Sequence, residues 1–415
     1  MPRRRLLQVT PVMPAPTGGG LAMRAASTLK ALSRHFDVDL LVVPVAGAAT
    51  IPSDFVLRHA ATVQCLDLEG HLDPHFALIA RLKDPAHREQ ALRAYPKPHL
   101  SRYCTGDGAR YLYQWRDRRA VAAIHVMRLY LAPFADLFLR LPDGERPLCV
   151  LDLDDDEPLT RRRLADLHLR RGDRESAERE QSELRKYAAF AARYLPAFDR
   201  VTVCSTTDAD RLARQHTRAR FAVVPNGYDM EKVNRPTPSA SGPLRLLFVG
   251  TLDYFPNSDA ARFLCTDVGE ALHRLSDREM EIDIVGSGGD GLAGDLDDSG
   301  ARVHGYVPSV TPFYAAADVA IIPIRAGGGT RIKILEAFAH RVPVVSTTIG
   351  AEGLDAIDGQ HLLVGDDAES LARACLRVKS SPALAHSLAE QAAALCSASH
   401  GAAAIEKAIG DVYRL

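Results

Sequence analysis

The feature that most constrains this chain is an alternation of short apolar runs and helical stretches, played through twice. In the first half the candidate strands are Leu6–Thr10, Val38–Val43, Val63–Leu68, Val121–Val126, Leu148–Leu153 and Val201–Cys204. Helical patterns fill most of the gaps, beginning with Ala22–His35 and including a long charged stretch from Thr160 to Tyr194. After the Pro/Ser/Gly-rich segment "RPTPSASGP" the pattern restarts. Its strands are Leu244–Val249, Ile282–Val285, Val319–Ile324 and Val342–Ser346, and its helices are Ala260–Leu275, Pro312–Ala316, Arg331–His340 and Glu369–Lys379. Strands that alternate with helices predict parallel sheets covered on both faces. The expectation is an α/β chain of two Rossmann-like, doubly wound domains facing a central cleft, with ligands at the carboxyl ends of the strands. The predicted boundaries are 1–225, 226–395 and a terminal helix at 396–415 that packs back across the junction, within an Ala-rich helical segment from Ala383 to Leu415.

Composition removes several other classes. The chain has 415 residues and a formal net charge of -1, so no global field draws it to nucleic acid. No apolar run approaches the roughly eighteen residues that span a bilayer. The start "MPRRRLLQVTPVMPAP" is basic but reads as a first strand, not a signal peptide. Seven scattered cysteines without a CxxC pair predict reduced thiols and no metal centre. The expected location is the cytoplasm. Through the Arg-rich "RRRLADLHLRR" a weak peripheral association with the inner membrane face stays open, although a solvated helix face is the simpler reading.

The densest chemistry lies in "RAGGGTRIKILEAFAHRVPVVST", Arg325 to Thr347. Gly327, Gly328 and Gly329 allow close approach of backbone to a ligand. Thr330 can cap the following helix, whose first-turn N–H groups and dipole favour an anion. Arg331 and Lys333 add two cations, which suits a diphosphate. Glu336 shares a helix face with Lys333 and is placed to accept hydrogen bonds from a ribose. Together these describe a nucleoside diphosphate site. The plainer alternative, a capped surface helix with a weak Lys333–Glu336 pair, leaves three consecutive glycines without a purpose.

Further motifs agree in order and spacing: "VVPNGYD", "LLFVGTLDYFPN", "IDIVGSGG", "VHGYVPSVTPFYAAADVAIIPI" and, near the N-terminus, "PAPTGGGLAMR". With "GGGTRIKILEAFAHRVPVVSTTIGAEGL" they resemble the retaining GT-B glycosyltransferases, specifically glycosyltransferase family four. "VLDLDDDEP" resembles a bacterial sugar-transferase subgroup associated with exopolysaccharide systems. The resemblance implies a nucleotide-sugar donor, UDP- or GDP-linked, held mainly by the C-terminal domain. It implies an acceptor hydroxyl on a glycan, lipid-linked or small-molecule acceptor, held mainly by the N-terminal domain. It requires no cofactor or metal. On matching positions it places Gly250 and Thr251 beside the phosphates, Arg331 and Lys333 at the leaving diphosphate, Glu336 on the ribose and the Val307 backbone at the base.

In the first domain it gives the loop Gly18, Gly19, Gly20 and the nearby Arg24 a role at the acceptor or phosphates. It sets His125 at a strand end facing the donor sugar, where a histidine in an apolar run otherwise reads as a core residue. Arg128 and Asp154, the latter in the carboxylate cluster "LDLDDDEP", are further acceptor-side candidates. That cluster could also pair with nearby arginines. The chain departs from the family in two places. The motif commonly carries two glutamates separated by seven residues, and Gly328 stands eight positions before Glu336. "GTLDYFPN" also lacks the usual basic pair. The expected activity is sugar transfer in glycan, polysaccharide or glycosylated-metabolite biosynthesis. The alternatives are a GT-B sugar-nucleotide epimerase, or a degenerate GT-B partner subunit motivated by Gly328.

Overall fold

The structure is a computed structural model. It describes residues 3–47, 49–68, 73–104, 112, 121–228, 239–288, 300–329 and 332–414. The chain forms two compact units, Met1–Val224 with Ile405–Leu415, and Pro225–Ala404.

The first unit is built on a seven-stranded sheet of order β3-β2-β1-β4-β5-β6-β7. Its strands are β1 Arg4–Thr10, β2 Phe36–Val42, β3 Thr62–Cys65, β4 Ala123–Met127, β5 Leu148–Asp152, β6 Arg200–Val203 and β7 Phe221–Val223. Every pairing is parallel, with Gln8 opposite His125 and Met127 opposite Asp152. All five residues of β4 are buried, as expected of a parallel strand covered on both faces.

The second unit has a six-stranded parallel sheet of order β10-β9-β8-β11-β12-β13. These strands are β8 Leu244–Val249, β9 Met280–Val285, β10 Arg302–Val303, β11 Val319–Ile322, β12 Val344–Ser346 and β13 Leu363–Val364. Its core joins Phe248, Ile284, Ile321 and Val345 to Leu335 and Phe338 of the Ile332–Ala339 helix and Leu371 and Cys375 of the Ala368–Ser380 helix.

Three helical stretches are more finely divided than the sequence pattern shows. The stretch 160–194 is two helices, Glu157–Arg170 and Arg174–Tyr194. Gly172 at φ 77° turns the chain, and the Asp173 carboxylate caps the second helix at the Ser176 N–H. The segment around Ala260 is helical from Phe255, and Leu264–Val268 within it is a π turn. The Ala-rich C-terminal stretch is two helices, Pro382–His400 and Ala402–Tyr413. Most of the second packs into the first unit, where Ile405, Ile409, Val412 and Tyr413 join a core with Phe36, Val38 and Val150.

Five of the seven cysteines, Cys149, Cys204, Cys265, Cys375 and Cys396, are buried. Among the described residues, no helix is long and apolar enough to cross a membrane.

Candidate functional site

In the second unit the strand order reverses between β8 and β11. The crevice beyond the carboxyl ends of two such strands is where doubly wound sheets take ligands. Gly250 follows β8, and the loop Arg325–Gly329 lies just after β11. Gly327 at φ 117° and Gly329 at φ 69° occupy backbone conformations that side-chain-bearing residues avoid. Gly327 and Gly328 are buried.

The Ile332–Ala339 helix brings Lys333 back to the end of β8. The Lys333 ammonium donates to Asn257 Oδ1 at 2.6 Å and lies 4.8 Å from the centre of the buried Phe248 ring. A Cβ at Gly250 would fall 2.8 Å from Lys333 Nζ, so the missing side chain makes room for this cation. Asn257 Nδ2 donates to the Thr251 carbonyl at 2.8 Å, which ties Gly250, Thr251 and Lys333 into one cluster. On the other side, Gly286 approaches Gly250 so closely that a Cβ would sit 2.0 Å from the Gly250 oxygen.

Glu336 is half-buried one turn beyond Lys333 and accepts from the Tyr314 hydroxyl at 3.1 Å. Burial raises its pKa, and this outweighs the lowering by Tyr314 and by the nearby His340. Tyr314 is itself held by stacking on His340, with centroids 4.5 Å apart and planes 18° apart. Val307 is half-buried against the domain core, next to an exposed Tyr306. Thr330 and Arg331 lie outside the described residues.

Sequence reasoning missed the groups that brace this site. Arg325 forms a two-point ion pair with the buried Asp259, Nε to Oδ2 at 2.9 Å and Nη2 to Oδ1 at 2.8 Å, and lies over the Phe263 ring. Asn257 and Asp259 belong to one helix, Phe255–Phe263. The motif "LLFVGTLDYFPN" contains Asn257, but nothing in its spacing names a partner 76 positions away.

In the first unit the order reverses between β1 and β4. Gly18 at φ 102° and Gly19, the residue capping the Gly20–Leu32 helix, form an exposed turn after β1. Arg24 does not face outward from that helix. It is buried, and its guanidinium is taken by Asp152, with contacts of 2.6 and 2.9 Å, and by the Val224 carbonyl at 3.0 Å. Burial alone would raise the Asp152 pKa, but the adjacent Arg24 holds it well below the usual carboxylate range.

His125 is also fully buried. Its Nδ1 lies 2.8 Å from the Tyr413 hydroxyl, and its Nε2 lies 3.7 Å from Asp152. Contact with a sugar would require the residues over it to move.

Arg128, at φ 71°, and Asp154, at φ 56°, stand just past the ends of β4 and β5 and pair at 3.0 Å. Arg128 also binds Glu157. Asp155 accepts from Thr160, and Asp156 caps the Glu157–Arg170 helix and pairs with Arg211. The acidic run is thus laced to arginines, and among the described residues no cluster has the makings of a metal site.

This architecture, two parallel α/β units each with a crevice at its own strand reversal, fits the GT-B fold. Residues 243–381 match the family model for glycosyl transferases group 1, so the second unit carries a glycosyltransferase domain and the class of chemistry is glycosyl transfer.

Solved structures similar in fold extend over almost the whole chain. Sucrose-phosphate synthase from Thermosynechococcus elongatus is 16% identical, with 99% of this chain and 98% of that one covered at a TM-score of 0.69. Anabaena HepE in complex with UDP and glucose is 14% identical, with 99% and 100% covered at 0.65. WaaG, a glycosyltransferase involved in lipopolysaccharide biosynthesis, is 13% identical, with 98% and 99% covered at 0.59. Among curated proteins no sequence matches significantly.

Proposed function

We propose that this protein is a retaining glycosyltransferase of family four that takes its sugar from a UDP-sugar. The observation that carries the reading is the Lys333 ammonium, set against Gly250 where the strand order reverses in the second unit. The diphosphate would sit there, with its charge met by Lys333 and by Arg331. Glu336 would accept from the ribose hydroxyls, and Val307 would meet the base through its backbone. HepE, whose solved forms hold UDP, UDP and glucose, or UDP-glucose, supports a uridine donor. The acceptor would be a glycan or other hydroxyl-bearing molecule in the first unit, near Arg128 and Asp154.

Catalysis in this reading is mainly electrostatic. The bond from the sugar's anomeric carbon to the diphosphate oxygen breaks, and charge grows on that oxygen. Lys333 stabilises it more in the transition state than in the ground state. The acceptor oxygen bonds to the same carbon on the same face, and its proton passes to the departing phosphate.

The test is Lys333→Ala, assayed by UDP release from UDP-glucose with a panel of acceptors. A cation about 4 Å from a diphosphate is worth up to about 4 kcal/mol at an effective dielectric near 20, so turnover should fall by orders of magnitude with the fold intact. Wild-type turnover in that variant would remove Lys333 from the mechanism. A thermal-shift series with UDP, GDP, ADP and dTDP separates the possible bases, because the preferred nucleotide raises the melting temperature most.

A further inference from the structure

Among the described residues, two cations bracket the glycine loop, Arg325 before it and Lys333 after it, and both are gripped by one helix. Arg325 is locked on Asp259, and Lys333 on Asn257, two residues earlier on Phe255–Phe263. Both gripping residues are buried, Asp259 completely. Asn257 faces two ways: its oxygen takes the ammonium, and its nitrogen holds the Thr251 carbonyl just past β8. A lysine side chain has four rotatable bonds and gives up considerable rotamer freedom when fixed. Here the amide and the Phe248 ring fix it in the free protein.

We propose that Asn257 is a positioning residue for glycosyl transfer. It presets the Lys333 ammonium over the end of β8, while Asp259 pins the opposite end of the glycine loop through Arg325. The amide is suited to this task because it is neutral. It orients the ammonium without cancelling its charge, whereas a carboxylate there would compete with a diphosphate. The reorganisation that would otherwise accompany donor binding is then completed during folding.

This rests on the reading of Lys333 as a diphosphate contact, so the test is a double-mutant cycle that examines both. UDP dissociation constants are measured by titration calorimetry for the wild type, Asn257→Ala, Lys333→Ala and the double variant, with melting temperatures recorded on the same preparations. Asn257→Ala should weaken UDP about tenfold, the scale of one hydrogen bond to a charged group. In the Lys333→Ala background the same change should cost less than about twofold, because the group it orients is gone. A merely structural asparagine would impose its loss equally in both backgrounds. If Lys333→Ala weakens UDP and the Asn257 loss adds in full, the positioning role is overturned and the diphosphate contact stands. If Lys333→Ala leaves UDP binding unchanged, both fall. Should Asn257→Ala not fold, Asn257→Ser, too short to reach the ammonium, completes the same cycle.

Discussion

Replacing Asp152 by Asn tests whether the first unit depends on a buried ion pair beneath its strand ends. The Arg24 and Asp152 side chains are 2% and 1% exposed, so water cannot solvate either if its partner is lost. Removing one member of such a pair costs about 3–5 kcal/mol, because the remaining charge is buried without compensation. Asp154 stays 3.7 Å from Arg24 Nε and the Val224 carbonyl keeps its bond, which argues for the lower end, about 3 kcal/mol. In a domain of this size each kcal/mol moves the melting temperature by about 2–4 °C, so the expected drop is about 6–12 °C.

Scanning calorimetry with and without UDP is the assay. The nucleotide should raise the transition of the second unit, and the substitution should lower the other. The linkage sign is that of a depressed carboxylate. The stabilisation is present above the unfolded pKa near about 3.9 and is lost as pH falls through the lower folded value. Asp152→Asn should therefore flatten the acid side of the stability profile. Adding Arg24→Met should restore much of the loss, because no orphaned charge remains. A single variant that melts within about 2 °C of wild type would refute the argument, since about 1 kcal/mol is too little for a buried guanidinium that has lost its principal carboxylate.

Three further outcomes are expected. Glu336→Gln should weaken UDP by about tenfold or more, while a 2′,3′-dideoxy uridine diphosphate should be nearly indifferent; equal losses for both would dismiss the ribose contact. Because burial raises the Glu336 pKa above the ordinary glutamate value, UDP affinity should rise with pH as the carboxylate ionises, and the Gln variant should lose that part of the pH dependence while keeping the part that comes from the nucleotide's own phosphate. His125→Ala should lower the melting temperature, since the Tyr413 hydroxyl loses its buried partner, with normal turnover in the folded fraction. A ten- to thousandfold fall in kcat at an unchanged melting temperature would instead place His125 at the donor sugar.

What could be read in advance depended on how far apart the partners lie along the chain. Lys333 and Glu336 share a helix, so periodicity alone puts them on one face. The longer parallel strands announce themselves as largely apolar runs, such as the "LLFV" that closes β8. The two-residue edge strands β10 and β13 carry too little pattern to detect. Asn257 with Lys333, Asp259 with Arg325, and Arg24 with Asp152 meet only because the sheet order brings distant strand ends together. A polar residue on a short loop or helix carries no mark of its partner. Arg24 and His125 show the converse: their positions near a helix start and a strand end are legible in the sequence, but the burial of both side chains is not.

The division of the chain also has a consequence for synthesis. Ile405, Ile409, Val412 and Tyr413 belong to the core of the first unit, yet they are translated after the whole of the second. The intervening Pro225–Ala404 takes about 10–40 s to make at about 5–20 residues per second. During that interval the nascent first unit has Phe36, Val38 and Val150 uncovered where the last helix will lie, and His125 waits for its tyrosine. The second unit has all its strands before that helix exists and can close first. A ribosome that stalls near residue 404 would therefore release a chain whose second unit is finished and whose other half is a sticky intermediate, a natural substrate for chaperones.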